Sequence, residues 1–469
     1  MFNGKERIPS YIVRGVYGGA TSTDSNVREN MRISKIANAI ILFIILMMPS
    51  WATAEIRYID LTNPFLRKIP MAIPVFRAMT PSSAETQLVE SIADQLSSML
   101  DFTGYFKMLD RNSFLFDPRT GGITPETINY GNWTTVGAEM LITGGTQVEA
   151  GGTLVLEMRL YDTFKANMVV GKRYRGPIQD QRTMIRRFCA EVIQALTGRP
   201  GIFDSQFAFV SNGTGNKEIY LCDFDGANVR QLTNKRSITT APSWSWDGRH
   251  LAYTSFARGP SQIYVRDMNS GAETRFTFNG VQIAPLWAPG RFELAASLSI
   301  HGDEEIYLLT GGGKMIKRMT ESPGIDVEAT WSPDGKMIAF TSKRAGTPQI
   351  FIQDVNGDRV RRLTFQGQYN TQPSWSPKGD KIAYSSLEAG QLNVYVIDVE
   401  GNNPIRLTYN QGDNEAPTWA PDGSLIAFSS TREGKSRIYI MTAFGTDQRR
   451  LLVLPGEQRA PKWSPNISP

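Results

Sequence analysis

The sequence contains few of the residues from which most catalytic and metal sites are built. Its 469 residues include only two histidines, His250 and His301, and two cysteines, Cys189 and Cys222. A zinc site needs clustered Cys and His ligands, and an α/β-hydrolase needs a G-x-S-x-G turn with a histidine partner. Neither pattern occurs, and H-E-x-x-H is also absent. The sequence therefore predicts a protein that is not an enzyme and that binds no cofactor.

The sequence also lacks a strong excess of charge of either sign. It carries 50 Lys or Arg and 45 Asp or Glu, and residues 1–54 hold six of the basic and three of the acidic side chains. The remainder has 44 basic and 42 acidic side chains and is close to neutral. Because nucleic-acid binding requires a concentrated basic face, the sequence predicts no nucleic-acid partner.

A hydrophobic run long enough to cross a bilayer is missing near the N-terminus. Residues 36–48 form a 13-residue apolar stretch interrupted by Asn38, and a membrane span needs about 20 residues. A basic segment at residues 31–35 precedes the stretch, and the small residues Ala52 and Ala54 follow it, which is typical of a secretory signal. We expect residues 1–54 to be a leader and signal peptide, with the true start at Met31, cleavage after Ala54, export, and no stable membrane insertion.

The two cysteines fall in different predicted elements. Cys189 lies in a helical stretch and Cys222 in a strand of the repeated region. An exported protein could join them in a disulfide, but their separation along these elements favours two buried, unpaired thiols.

The chain is rich in repetition. A tryptophan followed by a small residue and a turn, as in W-S-P-D-G, occurs at Trp244, Trp287, Trp331, Trp375, Trp419 and Trp463, with spacings of 43 or 44 residues. Two further motifs, Ile-Tyr at residues 219–220 and Leu-Thr at residues 232–233, recur with the same period. Each period therefore holds about four short strands, which is the unit of a propeller blade. The sequence predicts a mainly β protein with a six-bladed β-propeller over residues 201–469.

The order of the repeats predicts how the propeller closes. The first repeat begins at residues 207–211 without a tryptophan phrase before it, and the last phrase, around Trp463, has no strands after it. We expect these segments to pair in one blade, so that no long sheet edge stays open. The repeated tryptophans could form a ligand cage, but their fixed phase favours packing between blades.

A small α/β sandwich domain is predicted over residues 67–200. Apolar periodicity predicts an edge-compatible strand at residues 69–76 and helices at 82–100 and 182–196, the second ending at Gly198. Further strands are predicted at residues 105–109, 138–147, 153–162 and 169–175. We expect the helices to pack on one side of the strands.

Residues 55–66, directly after the expected cleavage site, form a candidate partner-binding arm. Alternation over residues 56–60 predicts a strand at a free chain end, and such a strand adds readily to the sheet edge of a partner. The alternative is that it folds onto its own domain. The candidate residues are Glu55, Ile56, Arg57, Tyr58, Ile59, Asp60, Leu61 and Thr62.

Taken together, these features resemble the TolB family. The resemblance covers residues 55–466 and rests on the segments at 55–60, 69–76, 91–96 and 105–110, followed by six W-[SA]-P repeats. The repeat alone is shared with other propellers, including those of prolyl oligopeptidases, whereas its combination with this N-terminal domain is specific.

The resemblance implies a non-enzymatic periplasmic component of the Tol-Pal system, which supports outer-membrane integrity and envelope constriction at cell division in Gram-negative bacteria. It implies that the lipoprotein Pal binds at the propeller mouth and TolA binds the N-terminal arm, with the two sites coupled. It further implies a monomer within a larger complex that includes other envelope proteins.

Blade geometry suggests which residues form the Pal-binding face. The third residue before each tryptophan is expected to connect neighbouring blades and to rim the channel. The resemblance favours Ala284 and Glu328 in this set, with Val281 and Val327 as neighbours. The remaining candidates are Ala241, Gln372 and Ala416, and Ala460 is the sixth residue expected to rim the channel. Two alternatives stay open at this point: an enzyme that uses the channel, and a glycan-binding protein that uses the aromatic residues.

Overall fold

The computed structural model describes residues 67–79, 83–115, 122–300, 302–357 and 359–467. The predicted leader and the N-terminal arm lie outside these residues. The described part of the chain has a mixed domain followed by six four-stranded sheets. The mainly β architecture predicted from the repeats is therefore confirmed.

The mixed domain contains one six-stranded sheet and three α-helices. Its sheet has the order β3-β1-β4-β5-β6, and β2 pairs with β4 beyond the end of β1. The strands are β1 Ile69–Ala72, β2 Arg77–Ala78, β3 Phe106–Met108, β4 Met140–Glu149, β5 Thr153–Asp162 and β6 Asn167–Pro177. The helices are α1 Ser83–Phe102, α2 Tyr130–Thr135 and α3 Gln181–Thr197, with short 3₁₀ turns at Arg111–Ser113 and Ile178–Asp180.

The strand predicted at residues 69–76 is divided, and it does not lie at an edge. β1 ends at Ala72, residues 73–76 leave the ladder, and only Arg77 and Ala78 pair with β4 again. β1 lies between β3 and β4. Pro70 is tolerated there because pairing with β4 begins only at Met71, and the Pro70 carbonyl still accepts the Glu139 N–H at 2.9 Å.

The two predicted helices pack together on one face of this sheet, and a third helix covers the other face. Trp133 of α2 packs against Ala72, Leu141 and Tyr161, which alternate with the residues that face α1 and α3. The expectation that the helices pack on one side of the sheet is therefore correct only for α1 and α3. The sequence did not predict α2 because a helix of six residues is too short to show apolar periodicity. None of the described helices combines the length and the apolar character that crossing a bilayer requires.

The six sheets form the blades of the propeller. The closing blade contains β30 Gln458–Trp463, β7 Gln206–Ser211, β8 Glu218–Asp223 and β9 Arg230–Gln231. Blades 1 and 2 contain β10 Thr239–Trp244, β11 His250–Ser255, β12 Gln262–Asp267 and β13 Glu273–Arg275, then β14 Gln282–Trp287, β15 Glu293–Leu298, β16 Glu305–Thr310 and β17 Met315–Arg318. Blades 3 and 4 contain β18 Asp326–Trp331, β19 Met337–Ser342, β20 Gln349–Asp354 and β21 Val360–Arg362, then β22 Tyr369–Trp375, β23 Lys381–Glu388, β24 Gln391–Asp398 and β25 Ile405–Arg406. Blade 5 contains β26 Asn414–Trp419, β27 Leu425–Glu433, β28 Lys435–Thr442 and β29 Arg449–Arg450.

The closing blade joins the two ends of the repeated region, as the repeat order predicted. Trp463 of β30 lies opposite Phe207 of β7, with 4.3 Å between their ring centroids. The Trp463 indole N–H donates to Ser205 Oγ at 2.8 Å. Because β30 is supplied by the C-terminal end of the chain, the inner edge of β7 is paired and the ring is closed.

The six repeated tryptophans are packing residues. Their exposed fractions lie between 5% and 8%. The indole N–H of Trp331 donates to Leu286 O at 3.2 Å, and that of Trp419 donates to Ser374 O at 3.0 Å, in each case in the preceding blade. The tryptophans therefore join neighbouring blades, as predicted, and their faces are not available for stacking on a sugar.

The recurring threonine of the Leu-Thr motif ties the outer strands together. Thr364 Oγ1 accepts the Ile350 N–H at 2.9 Å and donates to Gln349 Oε1 at 2.8 Å. The same arrangement occurs at Thr233, Thr320 and Thr408. In each of these blades the threonine follows the outermost strand, and its hydroxyl accepts the backbone N–H of a residue in the third strand. The motif therefore supplies a hydrogen-bond partner for a buried N–H group that the short outermost strand does not reach.

The mixed domain contacts the propeller at the end that carries the W-[SA]-P turns and outer hairpins, which we call the turn end. Arg182 of α3 donates to Asp225 Oδ1 at 2.8 Å, and Lys68 Nζ lies 2.6 Å from Asp447 Oδ2. Phe102 and Phe224 pack edge to face with 5.4 Å between centroids. Among the residues that the structure describes, these contacts involve the closing blade and blade 5 and lie at the turn end of the channel.

Both cysteines are free and buried, as predicted. Burial raises the pKa of the Cys189 thiol well above its usual value, and burial also raises that of Cys222. Because the thiolate is the reactive form, we expect neither thiol to react with Ellman's reagent at pH 8 in the folded protein. Both should react after denaturation. Rapid reaction of one thiol without denaturant would contradict the buried placement.

Candidate partner-binding site at the propeller channel

The innermost strand of every blade contains a bulge at the same place. In β10 the pairing with β11 shifts register between Thr240 and Ser243, and equivalent shifts occur in the other five inner strands. The first bulged residue has a left-handed backbone, with φ between 49° and 56°. These residues are Ala241, Ala284, Glu328, Gln372, Ala416 and Ala460.

This conformation is unfavourable for residues other than glycine, with a typical cost of about 1–3 kcal/mol each. Its presence in all six blades shows that the ring of packed strands imposes it. Proline follows the bulged residue in most blades, as in Pro242 and Pro373. A proline is tolerated at a bulge because the extra residue makes no ladder hydrogen bond.

The six bulged residues come together around one central cavity of about 190 Å³. Five of them belong to the predicted Pal-binding set: Ala241, Ala284, Glu328, Gln372 and Ala416. They lie within the innermost strands, so the expectation that they connect neighbouring blades is wrong. The connections precede these strands, for example at residues 232–238 between the closing blade and blade 1.

Two predicted neighbours do not line the cavity. Val281 lies just before β14, where its carbonyl accepts the Ser299 N–H at 3.0 Å. Val327 lies in β18 and pairs with Thr341. The predicted TolA-binding residues 55–62 lie outside the described residues. Lys462 and Leu286 also line the cavity, although the sequence did not predict them as binding residues.

A belt of hydrogen bonds between blades surrounds the cavity. The Glu328 carboxylate accepts the Gln372 N–H of the next blade at 2.9 Å and the Thr341 hydroxyl at 3.2 Å. Gln372 Oε1 in turn accepts the Ala416 N–H at 2.9 Å and the Ser385 hydroxyl at 2.8 Å. Each polar side chain therefore fixes the bulged backbone of the following blade.

Smaller hydroxyls make the same connection elsewhere in the belt. Thr254 Oγ1 accepts the Ala284 N–H at 3.2 Å, and Ser429 Oγ accepts the Ala460 N–H at 2.9 Å. The belt is interrupted at Ser297, whose buried hydroxyl has no hydrogen-bond partner among the described residues. Where the belt is continuous, from Glu328 through Gln372 to Ala416, each bulge is hydrogen-bonded to the bulge of the next blade.

The charged groups around the cavity are unevenly distributed. Burial raises the pKa of Glu328, while the Gln372 N–H and Thr341 hydroxyl lower it and the Lys462 charge opposes the increase. Glu415 of blade 5 also has a pKa raised by burial, partly offset by Arg459. These groups belong to blades 3 and 5 and the closing blade, whereas blades 1 and 2 contribute Ala241 and Ala284. The cavity thus has a polar side and an apolar side.

Exposed apolar side chains occur at the end of the propeller opposite the mixed domain, which we call the loop end. They lie in the connections between blades and at the start of an inner strand, where solvent-exposed aromatic residues mark interaction surfaces. The residues are Ile238, Phe365, Tyr369, Tyr409 and Val453. Burial and the nearby Glu328 carboxylate both raise the pKa of Tyr369, which places this tyrosine near the polar side of the cavity.

No arrangement typical of a catalytic or metal centre accompanies the cavity. Across the described ranges, no group of three or more His, Cys, Asp or Glu side chains is placed to hold a metal ion. His250 lies beside Phe292, with 4.9 Å between ring centroids, rather than in the cavity. His301 lies outside the described residues.

Comparisons with known proteins agree with both parts of the structure. A family model described as the TolB beta propeller domain matches residues 193–467, and one described as the TolB amino-terminal domain matches residues 57–169. The Tol-Pal system protein TolB of Desulfosudis oleivorans is 53% identical over 285 residues, which cover 61% of this chain and 65% of that protein. The protein TolB homolog of Chlorobaculum tepidum is 41% identical over 287 residues, or 61% of this chain and 64% of that protein.

These matches span less than two thirds of the length of either relative. A solved structure gives broader coverage. The crystal structure of TolB from Acinetobacter baumannii superposes with a TM-score of 0.74 at 27% identity, covering 85% of this chain and 97% of that one. Because the propeller model alone matches more than half of the sequence, this chain belongs to the TolB family.

Proposed function

We propose that this protein is a non-enzymatic, periplasmic binding component of the Tol-Pal envelope system. In this proposal it binds Pal at the loop end of the propeller and TolA through residues 55–62. It thereby supports outer-membrane integrity and envelope constriction at cell division. Its named relative in Desulfosudis oleivorans is a Tol-Pal system protein, which supports this assignment.

The observation that carries the Pal-binding proposal is the ring of six left-handed residues around one cavity. Strained, non-glycine backbone persists where the surrounding structure holds it, and it is concentrated at binding and catalytic sites. At the loop end, the aromatic side chains Phe365, Tyr369 and Tyr409 supply exposed apolar area. A partner that inserts a loop into the cavity would bury these side chains and gain most of its affinity from them.

The TolA-binding proposal rests on the family assignment and on the strand pattern of residues 55–62. An extended segment at a chain end can pair with a partner's sheet edge through its backbone, while alternate side chains provide specificity. The arm precedes Lys68, which contacts Asp447 of blade 5.

The two binding proposals can be tested together with purified soluble domains of Pal and TolA from the same organism. Isothermal titration calorimetry would compare the wild type, a deletion of residues 55–62, and Glu328→Arg. The deletion is expected to abolish TolA binding and to retain Pal binding. Glu328→Arg should weaken Pal binding about 100-fold or more, because it removes the acceptor that holds the Gln372 backbone and places a larger side chain in the cavity.

Two controls separate binding from folding. Glu328→Gln retains an acceptor for the Gln372 N–H and should fold like the wild type, while Glu400→Arg makes the same charge reversal at an exposed residue of an outer hairpin. Glu400→Arg should leave both affinities unchanged. If neither the deletion nor Glu328→Arg alters binding, both sites are wrong. If a channel point change abolishes a hydrolytic activity instead, the protein is an enzyme.

A further inference from the structure

Lys462 is an unusual residue within the propeller channel. It lies one position before Trp463 in β30 and lines the central cavity. The equivalent positions in the other blades carry uncharged side chains, namely Ser243, Leu286, Thr330, Ser374 and Thr418. The repeat therefore does not require a charge here, and the sequence pattern gives no packing reason for one.

The hydrogen bonds around the cavity leave Lys462 without a close partner. Glu328 and Gln372 both accept hydrogen bonds from neighbouring blades. The Lys462 ammonium makes no hydrogen bond or ion pair with any residue that the structure describes, and it interacts with Glu328 only electrostatically. Burial lowers the pKa of Lys462, and the Glu328 carboxylate opposes that change.

The unused groups in the cavity are mainly donors. Lys462 offers three N–H bonds, and the amide nitrogen of Gln372 has no acceptor among the described residues. A carboxylate presents two oxygens that can accept from both groups at once. The cavity of about 190 Å³ has room for one acidic side chain.

We propose that Lys462 selects a partner segment that places an Asp or Glu carboxylate inside the channel, where Lys462 and the Gln372 amide receive it. This inference rests on the proposed function, since it identifies the chemistry that the Pal loop presents to the cavity. Glu328 Oε2 accepts two hydrogen bonds within the belt, and a carboxylate has no donor with which to receive the partner's carboxylate. Lys462 is thus a specificity-determining residue.

The test combines Lys462→Met with neutralisation of single acidic residues on Pal. Lys462→Met retains an unbranched apolar side chain, one atom shorter, and should fold like the wild type, which thermal melting would verify. Its affinity for purified Pal should fall at least about 30-fold, the effect expected for losing one member of a desolvated charge pair. Lys217→Met is the matched control, because Lys217 is an exposed lysine at the loop end, and it should bind almost normally.

A double-mutant cycle identifies the carboxylate itself. One Pal Asp→Asn or Glu→Gln variant should lose affinity for the wild type by a similar factor and lose little more for Lys462→Met. If Lys462→Met binds Pal as tightly as the wild type, the inference is wrong while the proposed function stands. If no Pal variant couples to Lys462→Met, the inference is also wrong. If wild-type protein does not bind Pal, the proposed function fails, and this inference fails with it.

Discussion

Ending the chain after Glu457 is expected to abolish cooperative folding of the propeller. The truncation removes β30, the innermost strand of the closing blade, and exposes the inner edge of β7. It deletes Trp463, and loss of a buried tryptophan side chain alone costs about 3–5 kcal/mol. It also removes the backbone pairing with β7 and the bond between the Gln206 N–H and Ser464 Oγ at 2.8 Å. Together these losses approach the total stability of about 5–15 kcal/mol that is typical of a domain.

A chain that ends after Ile467 retains β30 and provides the matched control. Circular dichroism melting and size-exclusion chromatography would compare the two truncated proteins with the full chain. The shorter protein should melt without a cooperative transition and should aggregate through its open strand edge. A cooperative transition at the same temperature in both truncated proteins would contradict closure through β30.

Trp375→Ala is expected to lower the free energy of unfolding by about 3–5 kcal/mol. Trp375 is buried between blades 3 and 4, where its backbone N–H donates to Thr330 Oγ1 at 3.2 Å and its indole N–H donates to Gly379 O at 3.2 Å. The substitution leaves a cavity between the blades and an unpaired carbonyl. Urea unfolding monitored by circular dichroism would measure the loss.

Trp246→Ala makes the same chemical change at an exposed position. Trp246 occupies the turn position that proline fills in most other repeats, and it is 55% exposed. Its replacement should change the free energy of unfolding by less than about 0.5 kcal/mol, as is usual for surface residues. Equal destabilisation by the two substitutions would mean that burial between blades is not what the repeated tryptophans provide.

The repeated architecture could be predicted because its signals are local. Each W-[SA]-P turn, each alternating strand and the fixed period of 43 or 44 residues are visible within one repeat. The unmatched first and last repeats also predicted the pairing of β30 with β7. The helix that ends at Thr197 was anticipated within a residue because Gly198 adopts the left-handed conformation at its end.

Other features depended on contacts that no single segment reveals. The strand breaks after Ala72 because β1 and β2 pair with different parts of β4. Helix α2 is stabilised by Trp133, which is buried against the sheet. The left-handed conformation of Glu328 has no local signal, since Glu is not favoured there. It arises at the bulge in β18, where the pairing with β19 shifts register between Val327 and Thr330.

The sequence by itself determined the number of blades, the buried role of the tryptophans and the closure of the ring, because turn chemistry and hydrophobic periodicity act over short distances. Only the tertiary structure decided which side chains share the channel. Glu328 and Lys462 are separated by 134 residues of the sequence, and they face one cavity only because the ring closes. The charge inside that cavity is therefore a property of the assembled fold, not of any one repeat.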